Sequence, residues 1–573
     1  MRELTAMQAA YWAGRASSGP LGGVAAHLYA EFDGNEVVPD RLRRALARLG
    51  SVHPMIRLTV DADGRQSIRE GREMPILETE DLRALPGTSL HRHLAAKRRA
   101  WAEQALDLIE GQATAFSLSL LPGGRTRLHV DADMIAIDPV SFRVMMDDLA
   151  ALYQEPQSNR TGDTRFFDWL DSMSVGAEHA RQRKRDRLWW QEKLADFPPA
   201  PLLPLRPDGG ARRKNRRLAT RLSCAQRHSL ENAARALRVT PTTLLLGLFA
   251  VALGGATQCD RFRLNLPTFW RAPVVGNEDQ LVGEFSNLLI VAVDLHTVDT
   301  AGALCQELQT QIFELLAHSA YPGVNVMRDL SRRRGDLEVS PVVFSSGLGS
   351  TVGELFSERV GRVFGKLNWV TSQGPQVALD VQVAVVDGGL LINWDVRIDA
   401  VARDWVIDLF NAYSRLLRKV SDQPDLLSAS LSRLNDEVSP SGRSDDLVSR
   451  SPSETEKMVV HLMKRLGGDR SVIEADADIA TIMAENELAD FRGFINRYIP
   501  SCALSRDDLR THNTPRRIAG LMRRRTNETS EMIAGAFLKS VCSDARTGDA
   551  EVQDQRHLSA HFGDGTPHRT KRP

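Results

Sequence analysis

Cysteine is scarce. The five cysteines, Cys224, Cys259, Cys305, Cys502 and Cys542, are scattered and odd in number, with no Cys-x-x-Cys pair and no metal-ligand spacing. This excludes a disulfide framework and points to reduced thiols in a cytoplasmic setting. An excess of charge is also missing, since 73 Lys and Arg are balanced by 73 Asp and Glu. Nothing therefore draws the whole chain to nucleic acid or to an anionic membrane. Long apolar runs are absent too. The longest, Leu244 to Ala256, is too short to span a bilayer and reads as a buried core helix. The opening Met1-Arg2-Glu3-Leu4-Thr5 has no hydrophobic signal core. What remains is ordinary globular composition over 573 residues, enough for roughly three or four domains.

The most informative stretch is Arg127 to Ser141. Its first half alternates polar and apolar residues, as a strand does, and Asp138-Pro139 then interrupts it. A helical pattern follows in Phe142, Val144, Met145, Leu149, Leu152 and Tyr153. Asp133 thus falls near a strand end, Asp138 in the turn and Ser141 near a helix start. Two carboxylates and a hydroxyl at such a turn suit acid/base chemistry. They suit a hydrogen-bonded scaffold equally, because Asp and Ser are ordinary turn and N-cap residues.

The same reasoning places a helix at Leu4 to Arg15, a strand at His27 to Asp33, a helix at Pro39 to Leu49, and a hairpin near Gly64. Phe166 to Lys193 reads as one long helix. Phe197 to Leu205 carries too many prolines to be helical and reads as a crossover between two lobes. Thr240-Pro241 caps a helix that runs to Leu253. Strands are expected at Arg261 to Leu266, Leu288 to Val293, Pro341 to Ser346 and Val377 to Asp380. The last pairs with Gly389 to Asp395 across the Asp387-Gly388-Gly389 turn. A final helix covers Trp405 to Val420.

Taken together, these stretches resemble the heterocyclization (cyclization) domain of nonribosomal peptide synthetases, a variant of the condensation domain. The resemblance rests on seven motifs in the family's order. They are Leu4-Thr5-x-x-Gln8-x-Ala10-Tyr11-x-x-Gly14-Arg15, His53-Pro54-Met55-Ile56-Arg57, Asp133-x-x-x-x-Asp138-x-x-Ser141, the proline-rich Pro198 to Leu205, Gly283-Glu284-Phe285-Ser286, Pro341-Val342-Val343-Phe344-Ser345-Ser346, and Ser372-Gln373-Gly374-Pro375-Gln376-Val377-x-Leu379-Asp380. The resemblance implies an α/β fold of two chloramphenicol-acetyltransferase-like lobes in a V with a central tunnel. The expected lobes are residues 1–180 and 181–430, followed by a linker at 431–452.

It also implies two reactions. The amine of a carrier-tethered Cys, Ser or Thr attacks an upstream acyl thioester, and its side chain then closes onto the new amide with loss of water. Holding an amine against a thioester supplies much of the first rate. Dehydration is harder and needs a positioned acid, which a desolvated carboxyl group can provide. The family's dehydration residues map to Asp380, as acid/base, and to Ser345, as its hydrogen-bonding partner in place of threonine. For Asp133, Asp138 and Ser141 the resemblance implies architecture, with Arg271 the expected partner of Asp138. Gln376, Phe285 and Ser286 are expected to line the tunnel. Glu284 for Asp and Gly374 for Thr are further departures from the family's pattern.

Residues 453–525 read as a small all-helical unit and resemble a carrier-protein domain, with Thr511 to Leu521 as its end, where Thr514-Pro515 opens the last helix. The position of the attachment serine falls at Glu487, which cannot accept a phosphopantetheine arm. Leu466 to Ser471 reads as a helix stop rather than an attachment motif. From about residue 526 the chain turns polar, with the composition of a disordered tail. The reading implied is a freestanding cyclization enzyme of siderophore or related peptide biosynthesis. It binds no cofactor itself and takes substrates on the phosphopantetheine of an upstream acyl or aryl carrier and a downstream aminoacyl carrier. Pro20 to His27 resembles aryl-capped siderophore synthetases and suggests a salicyl or dihydroxybenzoyl donor with a cysteine acceptor. Two alternatives stand beside it: condensation without ring closure, and a non-catalytic carrier-binding scaffold.

Overall fold

A computed structural model of the chain describes residues 1–16, 21–70, 75–155, 165–206, 215–348 and 355–438, and isolated positions between 458 and 522. It divides into two units, Met1–Pro440 and Ser441–Pro573.

The first unit is α/β and carries two large sheets. One has five strands in the order Lys366–Gln373, His27–Asn35, Arg125–Asp133, Thr114–Leu120 and Leu77–Asp81. The other has six, in the order Asn287–Asp294, Arg261–Thr268, Val342–Ser346, Leu379–Val386, Gly389–Arg397 and Asn215–Leu222. Alternation along these strands sends one face to a core and leaves the other polar. In Arg125–Asp133, Leu128 and Val130 enter the first core, where helices Pro39–Val52 and Pro139–Gln154 meet them through Leu46, Leu49, Met145 and Leu149. The second core is built on Pro241–Thr257, which is buried almost all round between its sheet and helices Ala301–Ala317 and Arg403–Asp422. Its apolar run is therefore a core helix, and among the described residues no single helix is long and apolar enough to cross a membrane.

Three expectations are corrected. Phe166 to Lys193 is two helices, Arg165–Val175 and Ala177–Lys193, because Gly176 is extended and opens the second. The span 181–430 is not one lobe: Lys366–Gln373 pairs with His27–Asn35 in the first lobe's sheet, and Glu358–Phe364 packs on that lobe's core through Val360 and Phe364. Glycine permits the crossing, since a Cβ on Gly365, whose φ is +91°, would lie 1.9 Å from the Asp33 carbonyl. The proposed linker also starts too early. Leu431–Val438 is helical, Leu434 is buried in the second core, and the Leu431 N–H donates to the Asp299 carbonyl.

In the second unit the described residues include an apolar cluster. Met458 and Leu462, Val459 and Met463, Phe491 and Ile495, and Ile518 and Met522 recur at helical spacing. Residues 439–457, Leu466 to Ser471, Glu487, Thr511 to Arg517 and everything from 523 onward lie outside the described residues, as does Pro20.

Candidate active site

A cavity of about 550 Å³ lies between the two lobes of the first unit. Met7, Tyr11, Met134 and Arg143 reach it from the first lobe, and Ser345 and Asp380 from the second. Strand alternation decides which side chains face it. On Leu379–Val386, Asp380, Gln382 and Ala384 line the cavity while Val381 enters the core, and Val383, a core residue, also reaches the cavity. On the parallel neighbour Val342–Ser346, Val343 and Ser345 line it and Phe344 enters the core.

The Ser345 hydroxyl donates to Asp380 Oδ1 at 3.0 Å, and Gln382 Nε2 donates to Asp380 Oδ2 at 2.8 Å. Asp380 is 7% exposed. Burial pushes its carboxyl up to about 7, and the nearby charge of Asp395 pushes the same way. The Gln382 and Ser345 hydrogen bonds and Arg217 oppose them. A carboxyl group at that value both gives and takes a proton near neutral pH.

The signature residues are not among the cavity walls, and two of them, Asp138 and Ser141, join the lobes. Asp138 caps helix Pro139–Gln154, its Oδ1 accepting from the Ser141 N–H at 2.6 Å. The same oxygen meets Arg271 Nη2 at 3.3 Å, and Oδ2 accepts from the Phe285 N–H at 3.2 Å. Ser141 Oγ donates to the Gly283 carbonyl at 2.7 Å and accepts from Arg271 Nη2 at 2.9 Å. Arg271 also donates to the Glu278 and Leu281 carbonyls at 2.9 and 2.7 Å. Asp133 binds Arg15 Nη1 at 2.7 Å and accepts from the Ile135 N–H at 3.0 Å. All three signature side chains are fully buried, so they act as framework.

Of the expected tunnel residues, Gln376 lines the cavity, whereas Phe285 and Ser286 are not among its walls. Phe285 packs edge-on against Phe166 and Trp169 and lies under the Arg271 guanidinium, 4.4 Å from its centre. The intervening Glu284 is 1% exposed and accepts from the Thr5 hydroxyl at 3.1 Å. Burial is the main cause that pushes its carboxyl up to about 8.

Sequence reasoning missed Gln382, Asp395, Arg217 and Arg143. Two signals were available for the first pair. Gln382 follows Asp380 by two on one strand face, and the two-residue turn at Asp387-Gly388 sets Asp380 directly opposite Asp395. No local signal marks Arg217, whose strand joins the sheet from far along the chain. Among the described residues no group of His, Cys, Asp and Glu is disposed to hold a metal.

The phenyloxazoline synthase MbtB of Mycobacterium tuberculosis is 42% identical over 414 residues, covering 71% of this chain and 28% of that one. The pyochelin synthetase PchE of Pseudomonas aeruginosa is 31% identical over 424 residues, covering 73% of this chain and 29% of that one. The chain thus spans less than a third of the length of these curated relatives. The cyclization-docking bidomain of EpoB from Sorangium cellulosum superposes with a TM-score of 0.66 at 25% identity, covering 74% of this chain and 85% of that one. The condensation-domain family model matches residues 2–439, and the chain belongs to that family.

Proposed function

We propose that the first unit condenses a carrier-bound aryl thioester with a carrier-bound serine or threonine and cyclodehydrates the product to an aryl oxazoline, in siderophore or related peptide biosynthesis. The observation that carries this reading is Ser345–Asp380–Gln382 in the wall of a cavity between two lobes, with the Asp380 carboxyl balanced near neutral pH. The name of the 42%-identical relative, a phenyloxazoline synthase, favours a hydroxyl amino acid over the cysteine acceptor expected from the sequence, and an aryl donor in agreement with it.

In this mechanism the cavity first holds the amine against the thioester, and thiol leaves as the amide forms. The side-chain hydroxyl then adds to the amide carbon, its proton passing to the carbonyl oxygen. Asp380 gives its proton to the departing hydroxyl, and water leaves. The ring nitrogen forms the C=N bond and returns its proton to Asp380, so the acid is restored. Ser345 holds the carboxyl toward the reacting carbon throughout. No cofactor is required of the chain itself, since both substrates ride on phosphopantetheine.

The test supplies an aryl-loaded carrier and a seryl-, threonyl- or cysteinyl-loaded carrier as separate proteins, with and without this chain, and weighs the carriers intact. A product one water lighter than the amide supports the reading, and its formation from separate proteins supports action in trans. Amide alone leaves a condensation enzyme. No product with any acceptor, from carriers that bind, leaves a scaffold.

A further inference from the structure

Asp380 does not stand alone on its sheet. It is directly opposite Asp395 on Gly389–Arg397, and Asp395 is directly opposite Arg217 on Asn215–Leu222. Three neighbouring strands therefore carry a row of acid, acid and base on one face. The Asp395 side chain is 9% exposed and that of Arg217 5%, and Arg217 Nε donates to Asp395 Oδ1 at 2.9 Å. Gln382 Nε2 reaches Asp395 Oδ2 at 2.9 Å while it also donates to Asp380 Oδ2 at 2.8 Å. One amide thus ties the two carboxyl groups together. Asp395 Oδ2 further accepts from the Ser372 N–H at 2.9 Å, which fixes it to the strand that crosses between lobes. Asp395 is not among the residues that line the cavity, whereas Asp380 and Gln382 are.

We propose that Asp395, held by Arg217 and Ser372, is a positioning residue for ring closure: its charge opposes a second negative charge at Asp380, and the Gln382 amide that the two share aims the Asp380 carboxyl for dehydration. This rests on the cyclodehydration reading. The charge of Asp395, held beside Arg217, disfavours a second negative charge on the buried Asp380. Asp380 is left to hold the proton. The other groups facing Asp380 are the neutral Ser345 and Gln382, Arg217 at the far end of the row, and the buried Tyr11 phenol from helix Ala6–Ala16. The Gln382 and Ser345 hydrogen bonds and Arg217 favour the ionised form, and Arg217 is itself paired with Asp395. Amide formation needs proximity rather than this acid, so the device acts on the second step alone.

The experiment measures ring closure from preformed carrier-bound amide, in single turnover across pH, beside amide formation from the two loaded carriers. Wild type is expected to close the ring at low pH and to lose rate as pH rises through about 7. Asp395→Asn is expected to move that limb down by at least about one pH unit, with amide formation within about threefold of wild type. Asp395→Glu is expected to return the limb toward its original place. Because Asp395→Asn leaves Arg217 unpaired, the doubly neutral Asp395→Asn/Arg217→Gln chain is measured as well and should shift the same way. A limb that stays in place while only amplitude falls, or parallel loss of both steps in folded protein, overturns the proposal. If wild type closes no ring, the cyclodehydration reading fails by itself. Infrared difference spectra of the protonated Asp380 carboxyl, assigned with Asp380→Asn, then still decide whether Asp395→Asn lowers its titration.

Discussion

Arg271 and Asp138, 133 residues apart, meet at 3.3 Å in a site where neither side chain is more than 3% exposed. The pair closes a ring of hydrogen bonds through Ser141 and the backbone of residues 278–285, and so fastens the second lobe to the helix start of the first. Removing the cation strands a buried carboxylate. Arg271→Ala should lower unfolding free energy by about 3–5 kcal/mol, read by denaturant titration. Amide formation and ring closure should fall together, which separates this framework from the Asp380 pair.

Ser345 donates a single hydrogen bond to Asp380 and aims it. Ser345→Ala should slow ring closure by roughly tenfold to a hundredfold with amide formation nearly unchanged. Ser345→Thr keeps the hydroxyl and restricts its rotamer, and should retain wild-type ring closure. Timed intact-mass measurement of the two products checks both.

Glu284 gives a stability signature. Its carboxyl is pushed up to about 8 by burial, with Asp138 adding to the effect while Ser286 and Thr5 oppose it. A folded-state value above the ordinary one means the folded chain binds a proton that the unfolded chain releases. That contribution is fully present below about 4.5 and is lost as pH rises through about 8. Between pH 7 and 9, wild type should lose about 1 kcal/mol more than Glu284→Gln, whose neutral amide has nothing to titrate. Thermal melts of both chains across that range measure the difference.

Gly14 ties the first motif to the last. A Cβ there would lie 2.5 Å from the Cβ of Pro375, beside Gln376 in the cavity wall, and the Gln376 N–H is fixed on the Leu21 carbonyl at 2.8 Å. Gly14→Ala should cost about 1–3 kcal/mol of stability by overpacking. It should also raise the KM of the preformed amide substrate, read from steady-state kinetics.

Part of this site was legible in the sequence from local chemistry, and its candidate acid and hydroxyl from the family resemblance. Asp138-Pro139 breaks the strand and caps the helix, as its residue types require. Ser345 and Asp380 lie on short strands whose alternation fixes which side faces the cavity, and the structure brings them to 3.0 Å. The family resemblance, with a buried carboxylate's need for a cation, anticipated the meeting of Asp138 with Arg271. What escaped depends on pairing across long separations. Asn215–Leu222 is an arginine-bearing edge strand with little apolar alternation, so nothing local marks it. Lys366–Gln373 belongs to the first lobe's sheet although the strands before and after it belong to the second's, a crossing that the close approach of Gly34 and Gly365 permits. Phe285 carries a motif position but spends its ring on Phe166, Trp169 and Arg271 instead of the cavity.

The central claim is that Asp380 is the acid of ring closure and is dispensable for amide formation. The most direct test gives preformed carrier-bound aryl-seryl amide to wild type and to Asp380→Asn, which keeps the shape and the Ser345 contact but cannot deliver a proton. Wild type should convert the amide to a species one water lighter, and Asp380→Asn should leave it unchanged while still making amide from the two loaded carriers. Ring closure by folded Asp380→Asn at a rate near that of wild type would contradict the account.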